Sequence, residues 1–312
     1  ISLRRLPGGC PQPCKQNLGI TSSHVVNDSS SLSGGTTATR RSRQPVPEIV
    51  INCIYCLYPL LIRTCTAAHR VAGKFVQGAQ MSDKHLSSRF DFDLDLLLTR
   101  LLEMGGLVEA QIACAIETLN TFDLRLVEQV LQGEHRLNAM EIEIDEEVSN
   151  IIVRRQPTAR DLRLLMAASK CITNLERAGD EARKIAKRTR RIAMGSSTPQ
   201  AVNISEIKAA GKLAVDILRH ALDAFARMDT VAAAQIVKDD EAIDNEFVAF
   251  MRRLITSMTQ DPRTIATGFD YLSIAKAIER IGDHATNIAE LVVYIVKGTD
   301  VRHAPRELIA RC

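Results

Sequence analysis

Tryptophan is missing altogether, and Phe and Tyr together make up 4% of the chain, too little for the aromatic and β-branched faces on which β-sandwiches depend. No hydrophobic run is long enough to cross a bilayer. The most apolar stretch, Ile49 to Ile62, covers 14 residues and is broken by Asn52 and Pro59, against about 20 for a spanning helix, so no membrane span is expected. Among the 8 cysteines only Cys53 and Cys56 have metal-like spacing, and no second CxxC pair accompanies them. Cys10, Cys14 and Cys65 lie in the same segment, while Cys114, Cys171 and Cys312 stand singly, as suits packing in a reducing cytoplasm rather than a disulfide framework. Catalytic signatures are absent too: there is no P-loop, GxSxG elbow, Rossmann fingerprint or Cys/His pair with an orienting third group.

What the sequence does hold is Ala, Leu, Ile and Arg in quantity, residues that favour helices, so the expected class is all-α. Composition breaks near residue 80. Residues 1–80 carry 9 basic and 2 acidic side chains and 6 of the 10 prolines, whereas residues 81–312 carry 31 basic and 35 acidic side chains. The first methionine is Met81, expected to be the true start. Residues 1–80 are then an extension low in structure: translated upstream sequence in preference to a disordered or targeting segment or a small cysteine domain. The segment is Arg- and Ser-rich like a transit peptide, but lacks an amphipathic helix.

From Asp91 the apolar periodicity and the breaks at Pro157, Pro199 and Pro262 predict helices over 91–121, 123–154, 158–192, 203–227, 230–259 and 264–297, with Asp123 and Asp229 as N-caps. The helices fall into two triplets that repeat. Glu134 matches Asp240 and Leu137 matches Ile243 at an offset of 106, and Glu176 to Asp180 matches Glu279 to Asp283 at an offset of 103. The slippage falls in the loops around Pro157 and Pro262, where length changes cost least. The expected architecture is two repeated three-helix bundles, over 81–195 and 200–298, with a tail at 299–312. The third helices carry heptad seams, Ile274 to Ile295 and Leu164 to Ile185, that must bury against neighbours.

Paired acids stand off these seams. Glu176/Asp180 and Glu279/Asp283 each put two carboxylates on one helix face, one turn apart, although like charges so placed repel. Gly179 and Gly282 lie between them, and each costs about 1 kcal/mol in a helix interior. The preceding helix of each triplet offers Asp240/Asp244 and Glu134/Asn138, and a carboxylate interrupting an apolar seam calls for a cation. The chemistry is that of a carboxylate-rich metal site in each bundle, suited to hard cations or carboxylate-bound iron; the alternative is a merely solvated charged face. Gly179 and Gly282 occupy the third position after each Glu, so the Glu-x-x-His of di-iron enzymes is missing. His284 and His303 are expected to be ordinary surface histidines. The basic run Arg183 to Arg191 lacks stacking aromatics and is expected to serve the helix dipole rather than nucleic acid.

Residues 81–312 resemble the PhoU family of phosphate-uptake regulators. The resemblance rests on Met104-Gly-Gly-Leu-Val-Glu109, Glu141-Ile-Glu-Ile-Asp145, Arg154-Arg-Gln-Pro157, Asn174-Leu-Glu-Arg-Ala-Gly-Asp180, Leu222 to Asp229, Ile278-Glu-Arg-Ile-Gly-Asp283 and Tyr294-Ile-Val-Lys-Gly298, in that order and spacing. It implies metal clusters (iron, manganese, magnesium or zinc) on the bundle surfaces, with Glu176, Asp180, Glu279, Asp283, Asp240 and Asp244 as ligands; Glu134/Asn138 departs from the motif because Asn138 is neutral. It also implies a non-enzymatic cytoplasmic adaptor and homodimer. Its partners would be the ATPase-bearing phosphate ABC transporter and a sensor histidine kinase, its effect negative regulation of phosphate-starvation signalling, and its approach to the membrane only through those partners. The alternatives are a helical metal store and a purely structural interaction module.

Overall fold

A computed structural model describes residues 88–195 and 202–302. The expected extension, the start at Met81, most of the tail and His303 lie outside them. Among the described residues there are six helices: α1 (Ser88–Thr121), α2 (Leu124–Arg155), α3 (Ala159–Met194), α4 (Ser205–Arg227), α5 (Thr230–Gln260) and α6 (Ile265–Lys297), with a short 3-10 turn (Pro262–Thr264) before α6. No strand occurs among the described residues. Each boundary lies within a few residues of its expected place. Asp123 accepts a hydrogen bond from the Arg125 amide at 2.8 Å, and Asp229 accepts from the amides of Val231 and Ala232 at 3.0 Å each, so both act as the N-caps their positions promise. At the other end of the chain Gly298 takes the left-handed conformation, φ 76°, that closes α6.

Helices α1, α2 and α3 pack on one another, as do α4, α5 and α6, and the two triplets meet through α3 on α6 and α1 on α4. The seam residues Leu164, Ala168, Cys171, Leu175, Ala178, Ala182 and Ile185 on α3, and Ile274 to Ile295 on α6, are all buried. The central pair is antiparallel: Asn287 donates to Asn174 at 3.1 Å while Arg188 reaches Asp270 at 3.0 Å, so rising numbers on α3 meet falling numbers on α6. The α1–α4 contact is reciprocal. A Cβ on Gly105 would lie 2.7 Å from a Leu222 methyl, and one on Gly211 would lie 2.7 Å from the Ile116 Cδ1. Gly105 and Gly211 are 106 apart, as are Ile116 and Leu222. Each repeat thus lends the other a glycine notch and fills the partner's notch with an aliphatic side chain, which places the triplets about a pseudo-twofold axis. Beside the notches the buried Glu109 accepts from Arg219 Nε at 2.8 Å, an ion pair that crosses between the bundles.

Candidate functional site

The matched glycines between the acidic pairs are explained by helix crossing. Gly179 on α3 faces Leu137 of α2, where a Cβ would come within 2.7 Å of Leu137 Cδ1. Gly282 on α6 faces Asp240 and Ile243 of α5, where a Cβ would press on Asp240 Oδ1 and lie 3.0 Å from Ile243 Cδ1. Leu137 and Ile243 are the pair matched at an offset of 106. Removing the side chain lets the second and third helices of each bundle approach closely, and that approach gathers the acids.

In the first bundle Arg183 stands between the helices, 2.7 Å from Glu134 and 3.4 Å from Asp180. Glu176 is held above the usual carboxylate range by burial, then by the charges of Asp180, Glu141 and Glu134, with Arg177 opposing. Glu141 is raised as well, by burial and then by Asp145, against a hydrogen bond from Thr173. The cluster is therefore wider than Glu134, Glu176 and Asp180. Glu141 and Asp145 follow Glu134 and Asn138 on one stripe of α2, at alternating spacings of three and four, a heptad signal that identifies them without any structure. Asn138 sits on that stripe, half-buried.

In the second bundle Asp240 is 3% exposed, the seam carboxylate expected there, and Asp244 lies one turn on. Burial, then Glu279, raises Asp283, with Lys276 opposing and Asp244 adding to the repulsion. Glu279 accepts from Lys276 at 2.6 Å through Oε1, while its buried Oε2 has no hydrogen-bond partner among the described residues. Among those residues no three His, Cys, Asp or Glu side chains converge as a ready-made metal cage, since Arg183 and Lys276 stand among the acids as internal counter-ions. The donor set still fits a cation: all-oxygen, with Glu176 and Asp283 made to resist ionisation by burial first and by neighbouring carboxylates second, and with one buried carboxylate oxygen left over.

Between α3 and α6 lies an open cleft of about 720 Å³ and mixed charge, where Asp180, Glu181, Asp240, Asp283 and Glu290 stand among Arg177, Lys184, Arg280 and Arg302, with His284 beside them. His284 corrects the surface expectation. It is half-buried, its Nδ1 lies 3.2 Å from Asn174 Oδ1, and Asn287 donates to the same oxygen at 3.1 Å. Because that oxygen is an acceptor, the imidazole carries its proton on Nδ1. Burial lowers the His284 pKa to about 4; Glu181 works against this, and Arg177, Arg280 and Lys184 work with it. Glu181, the residue matched to His284 at an offset of 103, is buried and held by Lys184 at 2.7 Å and Arg280 at 3.5 Å. Burial, then Asp300, lifts Glu290 to about 7, with Arg302 opposing. Nothing in the helical pattern marks this cleft, because it arises only when α3 and α6 cross.

Two tandem three-helix repeats, each with acidic side chains where its second and third helices cross, define the class of helical protein to which this chain belongs. A family model described as the PhoU domain matches it twice, over residues 101–189 and 207–292. The chain belongs to the PhoU family. A Burkholderia sp. protein named phosphate-specific transport system accessory protein PhoU homolog is 55% identical over 231 residues, covering 74% of this chain and 98% of that protein. The Escherichia coli K12 phosphate-specific transport system accessory protein PhoU is 41% identical over 221 residues, covering 71% of this chain and 90% of that one. The crystal structure of PhoU from Pseudomonas aeruginosa matches with a TM-score of 0.64 at 41% identity, covering 67% of this chain and 100% of that chain. No helix among the described residues is long and apolar enough to cross a membrane.

Proposed function

We propose that this protein is a cytoplasmic negative regulator of phosphate uptake and phosphate-starvation signalling, acting by binding rather than by chemistry. It would join the phosphate ABC transporter, through its ATPase subunit, to a sensor histidine kinase, and work as a homodimer. The observation that carries this reading is the 55% identity, over 98% of its length, to a protein named as an accessory of phosphate-specific transport, with both helical repeats present here. Helices of 23 to 36 residues offer long faces to two partners at once. The test is alkaline phosphatase activity in phosphate-rich medium, in a bacterium lacking its own PhoU. Expression of this chain is expected to restore repression; persistent high activity with a soluble, folded protein overturns the assignment.

The same reading gives the acidic crossings a cation. Glu176, Asp180 and Glu134 with the neutral Asn138 would hold it in the first bundle, and Asp240, Asp244, Glu279 and Asp283 in the second; iron, manganese, magnesium and zinc are the candidates. A bound cation neutralises clustered carboxylates and ties two helices together. The orphaned Glu279 Oε2 supports the second bundle as the stronger site, and Arg183, already ion-paired to Glu134 and Asp180, must swing away in the first. Replacing Glu279 with Gln and Asp283 with Asn is expected to lower the metal content of the purified protein severalfold, with helicity unchanged by circular dichroism. Equal metal content in the variant counts against the site.

A further inference from the structure

The two repeats share a backbone plan, yet one pair of equivalent faces has diverged in a patterned way. On the first bundle the outer face of α2 and α3 exposes Ile142, Leu162 and Met166; on the second the outer face of α5 and α6 exposes Val248, Ile265 and Phe269 at the matched positions. Phe269 and Ile142 are about three-fifths exposed, at 60% and 61%, so each face carries an apolar centre that nothing among the described residues covers. Around these centres the rims differ in sign. Glu146 and Glu147 of α2 become Arg252 and Arg253 of α5, at the same offset of 106. Ser169 donates to Asp145 at 2.6 Å on the first face, and the equivalent positions on the second are Leu272 and Met251. Ser149 likewise becomes Ile255, which is 54% exposed.

Two of the four rim charges are used internally: Glu147 pairs with Arg100 at 3.2 Å and Arg253 with Glu206. Glu146 and Arg252 are exposed and have no ion pair among the described residues. Acidic rim on acidic rim is repulsive, as is basic on basic, so each face is complementary to the other rather than to itself. Exposed apolar centres with opposite rims, both carried by one chain, are what a self-pairing surface requires.

We propose that the α2–α3 face of one copy of this protein docks on the α5–α6 face of a second copy, with Glu146 opposite Arg252. This rests on the homodimer in the function proposed above and assigns its interface. In a twofold pair the contact forms twice, each face meeting the other's complement, so the assembly closes at two copies. Apolar centres supply the affinity and the rim charges set which face meets which.

Sedimentation velocity of the full chain tests this. Wild type is expected to be dimeric. Glu146→Arg and Arg252→Glu, both surface changes, are each expected to weaken the dimer about tenfold or more by placing like charges together at both contacts. The double variant E146R/R252E exchanges the charges and is expected to return dimerisation to near the wild-type level, a rescue that a contact with any other protein would not give. Phe269→Glu is expected to leave monomers. A wild type that stays monomeric at all concentrations overturns both the interface and the homodimer. A dimer indifferent to the single changes, or not rescued by the exchange, overturns the interface while leaving the homodimer standing.

Discussion

His284 is the residue whose protonation the fold resists most clearly. Its ring sits between α3 and α6 with three cations nearby, and its pKa falls from 6.5 to about 4. A depressed pKa means that the folded state prefers the neutral ring. The preference contributes fully above pH 6.5, is lost progressively as pH falls toward about 4, and does not return below that. Glu176, Glu141 and Asp283 have the opposite sign, because carboxyls raised in the folded state gain relative stability on acidification. Replacing His284 with Gln, which can still donate to Asn174, is therefore expected to flatten the fall in thermal midpoint between pH 6.5 and 4, leaving the carboxyl contribution exposed. A variant as acid-sensitive as wild type in thermal melts across that window would remove His284 as the cause. Residues of this kind are the least visible in a sequence: a lone histidine in a helix reads as surface, and its surroundings come from Asn174, Glu181 and Arg177 on another repeat.

At the scale of the helices, Gly282 shows how packing overrules propensity. Alanine gains about 1 kcal/mol of intrinsic helix preference over glycine, yet its Cβ here would press on Asp240, a short, buried side chain with little room to move, and on Ile243. Gly282→Ala is expected to destabilise by about 1 to 3 kcal/mol in urea titration despite the propensity gain, as overpacking does. Gly179→Ala is expected to cost less, since its obstacle is the flexible end of Leu137; the reverse order would mean that Asp240 yields more easily than its burial implies. The helices themselves were legible because long apolar seams at heptad spacing and Asp caps are local signals. The repeat was legible because matched residues keep a constant offset. The two glycines stood out as costs, but their purpose was not readable, since the atoms they admit belong to a neighbouring helix. The acidic pairs were found for the same local reason as the seams, and Glu141 and Asp145 were within reach of the same spacing argument.

For the whole molecule, the decisive contacts are those that cross between bundles. Arg219 of α4 neutralises Glu109 of α1, which is 5% exposed and whose second oxygen has no hydrogen-bond partner among the described residues. Arg219→Ala would strand that carboxylate. Because the Arg219 side chain keeps 36% exposure, the expected loss is about 2 kcal/mol rather than the roughly 3 to 5 kcal/mol of a fully buried pair. The E109L/R219M double variant is expected to recover most of it, and equilibrium unfolding of the three proteins distinguishes a stranded charge from lost packing.

The reciprocal notches at Gly105 and Gly211 also set an order of events during folding. Within a bundle, neighbouring helices meet through short connections and are expected to form first; α1 and α4 meet only after a long loop has closed, so docking of the bundles is expected to be the late step. Each notch accepts an aliphatic side chain carried by the other bundle, and that bundle need not belong to the same chain. In dilute solution the covalent link ensures self-docking. In concentrated refolding mixtures, exchange of whole bundles between chains competes with it, and the resulting swapped species separate only as fast as the late docking step reverses.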